Sequence, residues 1–279
     1  MTHPAPPGRP SVIEKYLAKY FVGDAFNDAL FNEDNNAREI ACSWKIMSSL
    51  MLFSELTART YEMCLWRAVG IPLHLADGAL QGDVDLMFAL RRGEHRGGHL
   101  TFTGPIYRCF ELKTSKVTKA GDVKSLKQSK FYKTKAQLEK LCRVGAPEVY
   151  LLEAFIVEAG FSNVSPDMPT TVRASVSAKY DQIVGANFGY VTLPIEQMFG
   201  FDGEHTLTLW PAQVVKRASN EQLRQPFENL VSVVEGYRRT AGLAAGYDPV
   251  VTYCYDCRNL TWAHPRGPYI CNRCGSPLI

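Results

Sequence analysis

Long apolar runs are missing from this chain: nowhere in its 279 residues do 18 apolar side chains follow one another, so no segment reads as a membrane-spanning helix. The first ten residues, four of them proline, lack the charged-then-apolar pattern of a secretory signal. They are expected to be loose, and the protein cytoplasmic with no membrane partner. Charge of one sign is scarce as well, since 31 Lys and Arg against 28 Asp and Glu leave only +3. No internal repeat is visible. Eight cysteines do not imply disulfides here, because no secretory signal accompanies them and four of them form CxxC pairs. Cys42, Cys64, Cys109 and Cys142 lie in apolar periodic segments and read as packing residues. What is present, 46% apolar and 21% charged residues, suffices for one substantial core plus a satellite.

The most informative segment is Tyr107–Thr114, which reads as a strand carrying Glu111 and Lys113. Residues two apart on an extended backbone share a face, so this acid and this lysine point the same way while Leu112 faces a core. A second strand, Gly82–Phe88, carries Asp85, so Asp85, Glu111 and Lys113 converge if the two strands are neighbours. Such a set suits hydrolysis of phosphodiesters with magnesium or manganese. Mg2+ takes hard oxygen ligands, for which Asp85 and Glu111 are the candidates together with Leu112. A lysine beside the metal orients or activates the attacking water, and Lys113 would take that part. A solvated strand edge would produce the same Glu-x-Lys pair. Asp122-Val123-Lys124 is another acid-x-Lys triplet, but it opens a helix, where residues two apart do not share a face.

Taken in order, Gly82-x-x-Asp85, Glu111-x-Lys113-Thr114 and Gln128-x-x-x-Tyr132 resemble the motif set of the PD-(D/E)xK nuclease superfamily, particularly its RecB-type and lambda-exonuclease-like branches. The likeness covers about residues 50 to 155. It implies an α/β fold, a mixed central sheet flanked by helices with a restriction-endonuclease-like core, and magnesium-dependent deoxyribonuclease activity. It also implies that Gln128 touches the catalytic lysine or the phosphate and that Tyr132 supports the substrate strand. A core tyrosine beside an unrelated glutamine is the plain alternative. Relatives often place a further glutamate on the helix before the first strand; a helix-like run from about Ala37 to Val69, ended by Gly70 and Pro72, offers Glu55 and Glu62. A histidine expected in that helix is missing.

From Glu111 to Arg143 ten Lys and Arg face three acids, so this segment carries +7. Lys116, Lys119, Lys124, Lys127 and Lys130 are candidates for phosphate contacts, and DNA is the expected partner, with RNA left open. An ordinary solvated helix would look similar.

At the other end, Cys254-x-x-Cys257, thirteen residues, then Cys271-x-x-Cys274 is the spacing of a zinc ribbon. Four thiolates fill a tetrahedron and leave no open position, so one structural Zn2+ is expected. His264 lies within the loop and is not needed. The clustered pairs differ from the iron–sulfur arrangement of RecB-type relatives, where one cysteine stands far upstream. Tyr253, Tyr255, Arg258, Trp262, Arg266, Tyr269 and Arg273 decorate this tail and suit either nucleic acid or a protein partner.

The expected organisation is an extension over 1–36, a nuclease-like core over 37–160, further strands and a helix packed on it over 161–245, and the ribbon over 246–279. Thr171–Val176 and Thr206–Trp210 read as strands, Pro226–Arg239 as a helix with an apolar stripe, and Gly242 and Gly246 as a linker. Two other readings of the function stay open. One is a catalytically silent nucleic-acid-binding module of a larger complex, and the other is an adaptor for protein partners or a homo-oligomer.

Overall fold

The computed structural model describes residues 35–48, 62–117, 128–157, 170–199, 205–209, 212–219, 221–265 and 267–278. The extension over 1–34, Glu55, Asp122, Lys119, Lys124 and Lys127 lie outside the described residues, as do the side chains of Gln128 and Lys130.

The fold is α/β, built on a mixed sheet of ten strands. Helix α1 (Asn35–Ser48) leads into β1 (Glu62–Pro72), β2 (Asp83–Arg96), β3 (His99–Phe102) and β4 (Ile106–Val117). Helix α2 (Gln128–Val144) then crosses to β5 (Glu148–Val157), and α3 (Thr170–Ile183) to β6 (Gly189–Phe199). After β7 (His205–Leu209) and β8 (Gln213–Lys216), helix α4 (Gln225–Ala245) leads to the hairpin β9 (Val250–Cys254) and β10 (Asn259–Ala263). Across the sheet the strands run β10-β9-β1-β2-β4-β5-β6-β7, with β3 beside the far end of β2 and β8 beside β6. β1, β2 and β4 form an antiparallel meander, and the α2 and α3 crossovers make β4, β5 and β6 parallel.

Period-two alternation sorts the central strands between two apolar layers. Phe110 and Leu112 of β4 and Tyr150 and Leu152 of β5 pack with Ala41, Trp44 and Met47 of α1. Tyr107 and Cys109 of β4 and Val149 and Leu151 of β5 pack with Phe131 and Leu138 of α2 and with Phe227 and Leu230 of α4. The sheet is thus buried on both faces, as parallel segments require.

Several expectations are corrected. The helix-like run 37–69 is not one helix: α1 covers Asn35–Ser48, and Glu62–Pro72 is a strand clamped between β2 and β9. A mostly apolar stretch such as Met63–Val69 satisfies either period, and the neighbours on both sides decide it. Thr171–Val176 belongs to helix α3, whereas Thr206–Leu209 does lie in β7. β2 runs on to Arg96, and Gly97 and Gly98, both at positive φ, make the reversal into β3. Gly242 lies inside α4, while Gly246, at φ +73°, caps that helix by donating to the Gly242 carbonyl. Finally, the cysteine-bearing tail is joined to the main sheet, because β9 pairs in parallel with β1 at Ala68↔Val251 and Val69↔Thr252. Val250 and Val251 are buried in the two main apolar layers.

Candidate active site and cysteine cluster

The site begins where two strands separate. β2 and β4 pair from Leu90↔Ile106 to Leu86↔Phe110 and no further. β2 continues along β1 to Pro72↔Asp83, and β4 continues along β5 to Val117↔Val157. In the opened gap the Asp85 carboxylate substitutes for the missing strand, accepting from the Leu112 amide at 2.6 Å. Beside it the Lys113 ammonium contacts Glu111 Oε1 at 2.9 Å, donates to the Leu112 carbonyl at 2.8 Å and reaches Glu39 Oε2 at 3.4 Å. Asp85, Glu111 and Lys113 are therefore brought together, with the Leu112 main chain between them.

Glu39, from α1, is the acid that sequence reasoning missed. It lies in the run searched for a helical glutamate, but nothing in its spacing distinguishes it from Glu55 or Glu62. Glu62 is placed elsewhere, which corrects its candidacy. Its carboxylate is clasped by Arg92 at 2.9 Å and Arg108 at 3.0 Å, and both arginines also bind Glu148, at 2.8 and 2.6 Å. This closed ring of two carboxylates and two guanidinium groups ties β1, β2, β4 and β5 together and is buried.

The charges of the site are crowded. Burial, and then the Glu111 charge, push the Asp85 carboxyl well above its ordinary value, against the opposing pull of Lys113. Burial raises Glu111 too; Lys113 opposes this, while Asp83 and Glu39 add to it. Glu39 is raised by burial, with Lys113 and the Thr114 amide pulling the other way. For Lys113, burial would favour the neutral amine, but Asp85, Glu111 and Glu39 together outweigh it and raise its pKa. Its side chain is thus an ammonium, suited to orienting and neutralising anionic oxygen rather than accepting a proton. These carboxylates are spaced around that ammonium and do not form a closed oxygen cage. Among the described residues, the one set of at least three His, Cys, Asp or Glu with ligand atoms within 4.8 Å of one another is the cysteine quartet.

Two further expected site residues, Tyr132 and Lys116, have described side chains. Gln128 opens α2, and Tyr132, one turn on, is 59% exposed because Phe131 takes the core position beside it. The alternative of a core tyrosine at Tyr132 is thereby excluded. Lys116 is half-buried on β4.

Cys254, Cys257, Cys271 and Cys274 are positioned to bind a metal ion. Cys254 Sγ lies 3.6 Å from Cys274 Sγ and Cys257 Sγ 3.8 Å from Cys271 Sγ. Sulfurs about 2.3 Å from a tetrahedral zinc stand about 3.8 Å apart, so the spacing fits that ion. The turn after Cys257 is made possible by Arg258 at φ +54°, and the Arg273 amide donates to Cys271 Sγ at 3.4 Å. Burial alone would raise the Cys271 thiol, but hydrogen bonds from Thr261 and from the Cys274 and Arg273 amides bring it down to about 6. His264 meets Tyr247 edge-to-face, with ring centroids 4.8 Å apart, and is not part of the quartet. No disulfide forms among the eight cysteines.

The cysteine hairpin borders the acidic gap. Burial first, and then the charges of Asp83, Tyr253 and Asp85, push the phenol of Tyr255, between the first two cysteines, up to about 12. No helix among the described residues is long and apolar enough to cross a membrane. Comparison with protein-family models, curated proteins and solved structures returns no match, so the function of this site has to follow from its own groups.

Proposed function

We propose that the protein is a magnesium-dependent deoxyribonuclease of the PD-(D/E)xK type, with a restriction-endonuclease-like core and a structural zinc ribbon. The observation that carries this reading is the crowding of Asp85, Glu111 and Glu39 around the Lys113 ammonium in a gap between parting strands. Three carboxyl groups held above their ordinary values beside one cation form a site with unbalanced negative charge, which a divalent cation would relieve.

Asp85, Glu111 and the Leu112 carbonyl would hold Mg2+ or Mn2+, and Glu39 stands where it can join them or accept a proton. A bound cation of this kind lowers the pKa of a coordinated water and neutralises charge on the phosphate. Lys113, protonated, orients the attacking water and offsets charge that builds on the phosphoryl oxygens. The Lys-rich segment from Lys113 to Arg143 provides the attraction for a nucleic-acid backbone. Cys254, Cys257, Cys271 and Cys274 would hold Zn2+, which would tie the β9–β10 hairpin together.

The test is cleavage of plasmid, linear and single-stranded DNA in Mg2+ or Mn2+. Glu111→Ala and Lys113→Ala should abolish cleavage in folded protein; undiminished cleavage by either would overturn the assignment. One observation favours a second reading, a silent binding module: the Lys113 ammonium sits among the carboxylates where a cation would go. Salt-sensitive DNA binding without cleavage in either metal would select it.

A further inference from the structure

We propose that the cysteine hairpin supplies part of the nucleic-acid site itself: Tyr255 stacks on an unpaired base of the strand that reaches the Asp85–Glu111 gap. This rests on the nucleic-acid reading above and narrows it to substrates that present an unpaired base.

Ring contacts bring Tyr255 toward the gap. β9 runs parallel to β1 with Ala68 opposite Val251, and at the end of β9 the Tyr253 ring, against which Tyr255 packs, meets His74 in the segment that follows β1. Pro72 in turn pairs with Asp83, two residues before Asp85. The Leu73 amide donates to the Gly82 carbonyl at 2.8 Å, so the segment that Tyr253 meets lies against the start of β2.

The ring is both offered and braced. Tyr255 is 58% exposed, whereas Tyr253 beneath it is 8% exposed. Tyr253 meets Tyr255 edge-to-face at 5.1 Å and His74 edge-to-face at 5.7 Å. Cys254 and Cys257 flank Tyr255 in sequence, so a metal held by the four thiols would also restrain the backbone that carries this ring. An exposed aromatic fixed in this way loses little conformational freedom when a base is laid on it.

The charge distribution indicates which part of a nucleotide belongs there. Without a divalent cation a phosphate next to Asp83 and Asp85 is repelled, while the π-face of a base carries no charge to repel. On the α2 side of the same strand end, the Lys140 ammonium lies 3.5 Å from where a Cβ on Gly82 would stand. Lys140 thus offers a cation for a phosphate near the start of β2, while Tyr255 offers a surface for a base.

The experiment uses the full zinc-loaded chain, a fluorescein-labelled oligothymidylate read by anisotropy, and a 2-aminopurine oligonucleotide whose quenching reports stacking, all without added divalent cation. Tyr255→Ala should weaken single-strand binding about 5- to 100-fold and abolish the quenching, while Tyr255→Phe keeps both. Binding to a blunt duplex should change less. Zinc is measured on each variant, and Tyr255→Leu, which keeps the bulk without the ring, replaces the alanine variant if that one loses metal. Wild-type affinity and quenching in a zinc-retaining Ala or Leu variant overturn the proposal. Tyr255-dependent binding in a wild-type protein that cleaves nothing would sink the nuclease assignment alone; no binding by wild type sinks both.

Discussion

The Asp85 carboxylate accepts a 2.6 Å hydrogen bond from the Leu112 amide at the level where β2 and β4 cease to pair. A side chain there takes over a strand's role in satisfying the backbone, and it does so as a buried acid whose charged form is disfavoured. The position is costly to the fold, which is the expected signature of a residue retained for chemistry.

Asp85→Asn should therefore raise stability while removing function. The amide oxygen can still accept from Leu112, and the repulsion with Glu111 disappears. Thermal melting of the metal-free protein at pH 7 should move up; for a chain of this size about 1 kcal/mol corresponds to about 2–4 °C. A lower melting temperature would show that the Asp85 charge is not the strained element.

The three raised carboxyl groups also set a pH dependence. Asp85, Glu111 and Glu39 hold protons more tightly folded than unfolded, so above their ordinary values of 3.8 for Asp and 4.5 for Glu the folded state binds more protons. Stability from these groups accordingly falls as pH rises from about 4 until they ionise in the native state. Denaturant melts without divalent cation should show this decline, and Asp85→Asn and Glu111→Gln should flatten it. Added Mg2+ should stabilise the protein with release of protons, detectable by calorimetry in buffers of different ionisation enthalpy.

The Glu62–Arg92–Arg108–Glu148 ring behaves in the opposite sense. Burial opposes ionisation of Glu148, but Arg108 and Arg92 outweigh it and hold its carboxyl below the ordinary 4.5. Its contribution is complete above that value and is lost as pH falls through the folded one. Glu148→Ala leaves two buried guanidinium groups short of a partner and should cost about 3–5 kcal/mol in urea unfolding. A cost below about 1 kcal/mol would mean that water reaches the ring.

Metal analysis should find one zinc per chain. Because β9 lies between β10 and β1, stripping the metal with a mercurial reagent and chelator should expose β1 amides to hydrogen exchange as well as the hairpin. Exchange confined to 250–278 would show that the hairpin loosens without disturbing the sheet.

What could be read in the chain was local. A period of two put Glu111 and Lys113 on one face of β4, and two CxxC pairs announced a four-thiolate cluster, because both patterns arise within a few bonds of the residues concerned. β5 is local in the same sense, a short apolar run preceded by Gly145 and Pro147. The misreadings came where local chemistry is ambiguous. Met63–Val69 suits a helix or a strand equally well, and Gly242 breaks no helix when packing supports one.

Which glutamate reaches the gap was decided only by tertiary structure. Glu39 and Lys113 are 74 residues apart, and nothing near Glu39 separates it from Glu55 or Glu62 until α1 docks on the sheet and Arg92 and Arg108 claim Glu62. The same holds for the C-terminal hairpin, whose cysteine spacing predicts a metal but not a place on β1 beside Asp83. Residue types and short periods therefore determined which groups are available and how the strands present them. The convergence of those groups depended on long-range packing, because the burial that brings distant acids together acts through the summed contacts of whole elements and leaves no mark on any one position.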